Sequence, residues 1–194
     1  MTRPPAGSGS ALLVRPISPL DGPALVRFHA RLSSESIRRR FFTAHPRLTT
    51  REVEHFTSVD HHRREALVAE VGGELVAVGR FDRLDESTDA EVAFVVADGL
   101  HDHGIATELL QRLAARAREE GITRLVAETL PDNGPMLAVF AHSGMQTECA
   151  LDQGVVHVVM DLSGCAQPTA GSTRPEGTDH VNTDPPSGAA ASSA

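Results

Sequence analysis

The sequence predicts a mixed α/β domain: a central, mostly antiparallel mixed sheet with helices on both faces. Three observations predict it. Short helical segments with cap signals come first, a β-meander follows, and a long amphipathic helix then leads into strands separated by one more short helix. At 194 residues the chain has the length of one domain with a substantial core, not of two.

The elements follow in order. Ala11 to Arg15 reads as a short strand. Asp21 is placed to cap a helix running to about His29, with Leu20 just before it and Leu25, Val26 and Phe28 within it. Ser33 starts a second helix through Arg38, Arg39, Arg40, Phe41 and Phe42, and Thr49 to Glu52 begins a third that ends near Ser58. The hydrophobic period then changes. Ala66 to Glu70, Leu75 to Phe81 and Ala90 to Ala97 are β-like runs, and Val71-Gly72-Gly73-Glu74 joins the first two as a hairpin. A long helix spans about Ile105 to Glu120, with Ile105, Leu109, Leu113 and Ala117 four residues apart and Gly121 at its end. Arg124 to Glu128 is a strand and Asn133 to His142 a helix. Met145 to Ala150 and Val155 to Leu162 form the last strand pair.

The ordered domain is therefore expected over residues 11–162. Residues 1–10 are rich in Pro, Gly and Ser, and residues 163–194 hold little apolar beyond Ala and Val; neither end has enough to offset its ordering entropy.

Composition excludes several classes of function. A formal net charge of -8 weighs against nucleic acid and anionic membrane as partners, since both are bound by clustered cations, and fits a cationic amine. No apolar run approaches the ~20 residues that span a bilayer, and no secretory leader is visible, so a cytoplasmic location is expected. Cys149 and Cys165 are too few for a disulfide framework and lack the spacing of a zinc site. His61, His62, His101 and His103 fall in two pairs without ligand spacing, so no metal is expected. All 18 basic residues are arginine, which leaves no lysine to modify in the chain itself, and the absence of tyrosine removes the phenol as an acid or base.

The segment His101-Asp102-His103-Gly104-Ile105-Ala106-Thr107 leads from the strand ending at Val95 and Val96 into the long helix. A strand, a glycine loop and a helix start converge backbone N–H groups and the positive end of the helix dipole on one point, a site for an anion such as a pyrophosphate. Many helix starts carry a glycine and bind nothing.

This loop resembles the acyl-CoA-binding motif Q/R-x-x-G-x-G/A of the GNAT superfamily, with His101 in the Q/R place, Gly104 as the glycine and Ala106 as the small residue. Asn133, Phe140 and Gly144-Met145 are similar to its N-x₇-Y-x₃-G-F stretch, and the order of elements matches over roughly residues 11–162. Leu32 to Phe42, Thr57 to His61 and Ala90 to Phe94 resemble, more narrowly, the bacterial protein-lysine acetyltransferases called Pat. Members often carry a regulatory domain, for which a chain of this length has no room. The resemblance implies acetyl-CoA as acyl donor, with Val95, residues 101–107, Asn133 and Phe140 around it and the backbone of Val96 pairing with the pantetheine arm by β-augmentation. Asn133 equally fits as a helix cap.

An amine with a pKa near 10.4 is mostly protonated at pH 7, and an ammonium cannot attack a thioester, so a base is required. The Pat resemblance assigns that role to Glu91. It is also the only ionised residue in an apolar strand, where a carboxylate is either desolvated or held by a partner, unless it simply faces water at a strand edge. The general acid is a tyrosine in many relatives; Phe140 stands there and cannot donate a proton, and His142 reads as an exposed helix end. Arg38 to Arg40 read by default as a solvated helix face, the alternatives being contact with the 3′-phosphate of CoA or with an acidic protein partner. Three functions remain: transfer of acetyl to a protein lysine, transfer to a small amine, or acyl-CoA binding without catalysis.

Overall fold

The structure, a computed structural model, describes residues 11–164 apart from Pro46 and Asp102. The expected flexible ends at 1–10 and from 165 onward lie outside the described residues, and so do Asp102 and Cys165. The chain runs β1 (Leu12–Pro16), a 3-10 turn (Pro19–Asp21), α1 (Gly22–Ala30), α2 (Ser34–Phe41), α3 (Thr50–Thr57), β2 (Arg64–Val71), β3 (Glu74–Arg83), β4 (Asp89–Val96), α4 (Ile105–Glu119), β5 (Arg124–Thr129), α5 (Gly134–Ala141), β6 (Gln146–Asp152) and β7 (Val155–Asp161). The seven strands form one sheet in the order β1-β2-β3-β4-β5-β7-β6, antiparallel throughout except between β4 and β5. That is the mixed, mostly antiparallel sheet the sequence predicts.

Alternation builds two cores. On β2, Leu67 and Ala69 pack with Leu109, Leu110 and Leu113 of α4, whereas Ala66 and Val68 pack with Leu25 and Phe28 of α1 on the opposite face. Each of the three leucines is fully buried, a gain of about 1.5–3 kcal/mol per side chain relative to exposure. The hairpin between β2 and β3 turns on Gly72 and Gly73, both at positive φ, which is why glycine stands at both positions.

Helix starts follow the cap signals with one exception. Ser33 Oγ accepts from Ser36 N, and Thr49 and Glu52 form a reciprocal capping box. Asp21 does not cap α1. Its backbone is already helical at φ -79, ψ -6, so its carboxylate points back to accept from Ser18 N and from both terminal nitrogens of Arg15, at 2.7 and 2.8 Å. Arg15 thereby holds the Asp21 carboxyl below its ordinary pKa.

Where α4 crosses the sheet, β3 carries Gly79. A Cβ there would stand 2.8 Å from the Phe94 ring and 3.1 Å from Leu113. Gly79→Val is therefore expected to destabilise the fold by about 1–3 kcal/mol through overpacking. Equilibrium denaturation checks this, and an unchanged midpoint would mean that the contact between α4 and β3 is looser than described.

Candidate active site

Parallel pairing of β4 with β5 covers three positions only: Asp89 with Arg124, Ala90 with Leu125 and Glu91 with Val126. Arg124 closes that end with two hydrogen bonds to Asp89 at 2.8 and 2.7 Å. Beyond Glu91 the strands part, β4 staying with β3 and β5 with β7. An open cleft of about 850 Å³ fills the fork. Glu91 stands at its crotch, the last paired residue before the gap.

The strand and helices beside the fork supply its walls. Val95, Val96, His101, Ala106, Asn133 and Phe140 line the cleft together with Glu91, which brings together seven of the predicted site residues. The other described loop residues contribute backbone or packing instead. Ile105 is buried in the main core, Thr107 is half-buried, and His103 and Gly104 are exposed. Gly104 is the N-cap of α4 at φ +72, and a Cβ added to it would meet no atom within 4 Å, so its backbone conformation and not crowding calls for glycine. It offers no capping side chain. The first intrahelical bond of α4 is Glu108 N to Gly104 O, which leaves the amides of 105, 106 and 107 without an intrahelical acceptor at the positive end of a fifteen-residue helix. These open amides form the helix start at which the sequence reading expects an anion.

The Val96 carbonyl turns toward the gap and meets His101 Nε2 at 3.2 Å, with the ring nitrogen donating in the tautomer that protonates it. A carbonyl has a second lone pair, so a ligand amide can still bond there. Asn133 uses both ends of its amide: Nδ2 donates to Thr129 Oγ1 at 3.0 Å, and Oδ1 accepts from Met136 N at 3.4 Å. It ties the end of β5 to the start of α5, the cap reading of its sequence position. Phe140 is 2% exposed and packs against Phe94 with ring centroids 6.3 Å apart, forming part of the cleft floor. His142 is exposed, its Nδ1 on the Ala138 carbonyl at 2.8 Å, and it does not line the cleft.

Glu91 is exposed, and its carboxylate has no hydrogen bond or ion pair among the described residues. Neither desolvation nor a partner holds it; it opens into the cleft. The histidines separate, His61 to the buried Glu65, His62 to Glu120 and His101 to Val96.

Three features escaped the sequence reading. Glu128 on β5 puts a second carboxylate on the cleft wall, near His157 at 3.3 Å. Asp98, just after β4, accepts from Ser33 N, Ser33 Oγ and Ser36 Oγ at 2.7–2.8 Å and so pins the start of α2 against the cleft. Arg40 is not on a solvated face. Arg38 pairs with Glu35 and Asp132; Arg39 pairs with Glu35 and also lines the cleft, and Arg40 turns inward and lines it without an ion pair. A signal for this existed in the sequence, since Arg40 lies three residues from Ile37 and four from Ser36, the buried pair of α2.

Burial works to raise the Asp98 carboxyl, but the hydrogen bonds from Ser36 and Ser33 outweigh it and leave the pKa below the ordinary value. A depressed folded pKa contributes stability above the unfolded value, about 3.9, that is lost as pH falls through the folded one. Melting temperature should therefore drop below about pH 4, and the drop should be shallower in Asp98→Asn. Parallel curves for the two proteins would show that Asp98 does not carry the acid response.

A family model described as the acetyltransferase (GNAT) family matches residues 33–145. The acetyltransferase Pat of Mycolicibacterium smegmatis is 31% identical over 159 residues, 80% of this chain and 47% of that protein. The chain thus spans about half the length of this curated relative. The solved GNAT domain of S. lividans PAT is 40% identical with a TM-score of 0.72, over 76% of this chain and 89% of that one. The structure of yncA from Salmonella typhimurium, solved with acetyl-CoA, has the same fold at 18% identity and a TM-score of 0.65, over 84% of this chain and 100% of that one. No helix among the described residues is long and apolar enough to cross a membrane.

Proposed function

The chain belongs to the GNAT acetyltransferase family, and from that membership we propose that it moves acetyl from acetyl-CoA to the side-chain amine of a lysine on a second protein, with Glu91 as general base. The observation that carries this reading is the position of Glu91 at the crotch of the fork, on a cleft whose far side meets the open start of α4.

Acetyl-CoA supplies an activated thioester. The amides at 105, 106 and 107 suit its pyrophosphate, with His101 lining the cleft beside them. The gap between β4 and β5 suits the pantetheine arm, with backbone groups of Val96 on one side and Val95, Asn133, Phe140 and Ala106 around it.

Glu91 then meets the acceptor. A lysine ammonium must lose a proton before its nitrogen can attack the thioester carbonyl, and an exposed carboxylate at the cleft is placed to take it, directly or through water. Attack is direct, since among the described residues no cysteine lines the cleft to carry the acyl group. Phe140 donates no proton to the departing CoA sulfur. A thiol with a pKa near 8.5 leaves well enough for water to serve.

A protein acceptor is favoured by the likeness to Pat, whose name the solved S. lividans domain shares. Release of CoA thiol should be measured with acetyl-CoA and two fractions of a cell lysate, one retained by dialysis and one passing through. Thiol release on the retained fraction supports protein acceptors. Release on the dialysate alone would assign a small amine instead.

A further inference from the structure

We infer that Arg40 is a carboxylate-recognition residue of the acceptor site, so that the preferred acceptors carry a carboxylate beside the amine that is acetylated. The inference rests on the reading of the cleft as an acetyl-transfer site and names the class of acceptor that site takes.

Arg40 is half-buried and, among the described residues, has no hydrogen bond and no ion pair. Its guanidinium carbon stands over the ring of Phe41, 5.1 Å from the ring centroid. Of the two carboxylates whose charge reaches it, Glu91 makes no ion pair with it and Asp82 is committed elsewhere. Asp82 accepts from Arg80 at 2.8 and 2.7 Å and from Arg64 at 2.7 Å. Removing a cation from water without a counter-charge is costly, and the cost shows in its titration. Burial, reinforced by the like charge of Arg80, lowers the Arg40 pKa to about 10 although Glu91 and Asp82 pull it upward. It remains a cation at neutral pH.

The place of this cation identifies what it meets. Arg40 lines the cleft that holds Glu91 and also a second, small apolar pocket between α1, α3 and the sheet. Val95 lines both as well, two alternations along β4 from Glu91 and hence on the same strand face. A base must touch the nucleophile, so this face receives the acceptor. Leu25, Phe28, Leu48 and Phe56 wall the inner cavity, and the buried His29, whose Nε2 has no hydrogen-bond partner, lines it too. An unpaired planar guanidinium presents a fork of donors that fits a carboxylate bidentately. With the amine at Glu91 and a carboxylate on Arg40, an apolar group attached to the acceptor has the inner cavity to enter. For a protein this describes a lysine with an Asp or Glu at its side.

Two matched pairs test the inference: a capped Lys-Glu dipeptide amide against Lys-Gln, and phenylalanine against phenylalaninamide. Acetylation of each by wild type, Arg40→Gln and Arg40→Lys is compared as kcat/KM, and binding of each is read separately by thermal shift, which needs no turnover. Wild type should favour the carboxylate member of at least one pair by about tenfold or more. Arg40→Gln should lose that preference with KM for acetyl-CoA unchanged, and Arg40→Lys should retain part of it. A residue that only supports the fold would lower both members equally. Transfer or binding without a carboxylate preference, or a preference that survives in Arg40→Gln, overturns the inference alone. Binding preference without any transfer sinks the acetyl-transfer reading and leaves the carboxylate site standing. Selectivity for succinyl-CoA over acetyl-CoA that vanishes in Arg40→Gln would move the carboxylate to the donor and refute the acceptor assignment.

Discussion

Glu91→Gln is expected to lower turnover by about 10²–10⁴-fold, the range over which a positioned general base contributes, while acetyl-CoA binding stays largely intact. The substitution keeps the size of the side chain and removes only its capacity to take a proton. No hydrogen bond or ion pair of the fold is lost with the charge, because the Glu91 carboxylate is exposed and makes neither among the described residues; only its longer-range attraction for Arg40 goes. Melting temperature should therefore match wild type, which separates a chemical loss from a structural one. The loss should fall on kcat, with little change in the dissociation constant for acetyl-CoA measured by calorimetry. Near wild-type turnover would remove Glu91 from the mechanism and transfer attention to Glu128, the other carboxylate on the cleft wall.

Phe140→Ala should have the largest effect on stability. The ring is 2% exposed, joins the core cluster of α4 and packs on Phe94 across the cleft floor. Truncating a buried phenylalanine costs about 3–5 kcal/mol, because the lost burial is compounded by the cavity left behind. In a domain of this size that lowers the melting temperature by on the order of 10 °C. Binding of acetyl-CoA should weaken as well, since the same ring lines the cleft. Denaturant titration of the purified variant checks the first effect; a loss below about 1 kcal/mol would mean that the site collapses to fill the space. A leucine at the same position should recover most of the loss.

The order of elements was legible because it depends on local pattern. The four-residue repeat of Ile105, Leu109, Leu113 and Ala117 and the Gly72-Gly73 turn need no distant partner to be read. Glu91 was visible as a charge in an apolar strand and Gly104 as a helix-start glycine. What escaped depends on long-range placement. The exposure of Glu91 follows from the parting of β4 and β5, which no feature of either strand announces. The grip of Asp98 on Ser33 and Ser36 crosses more than sixty residues. Asp21 reads as a cap by residue type, but Arg15 from a neighbouring strand claims its carboxylate. Arg40 was the nearest miss: the helix period alone puts it with Ser36 and Ile37, on the face toward β4.

Protein acetylation by this chain is tested most directly by locating the transferred group. Wild type and Glu91→Gln are incubated side by side with isotopically labelled acetyl-CoA and a whole lysate, and mass spectrometry then assigns the label to atoms. The expected result is labelled acetyl on lysine side-chain nitrogens of proteins with wild type, at least about a hundredfold less with Glu91→Gln. Label confined to small amines, or equal labelling of lysine by both proteins, would contradict it.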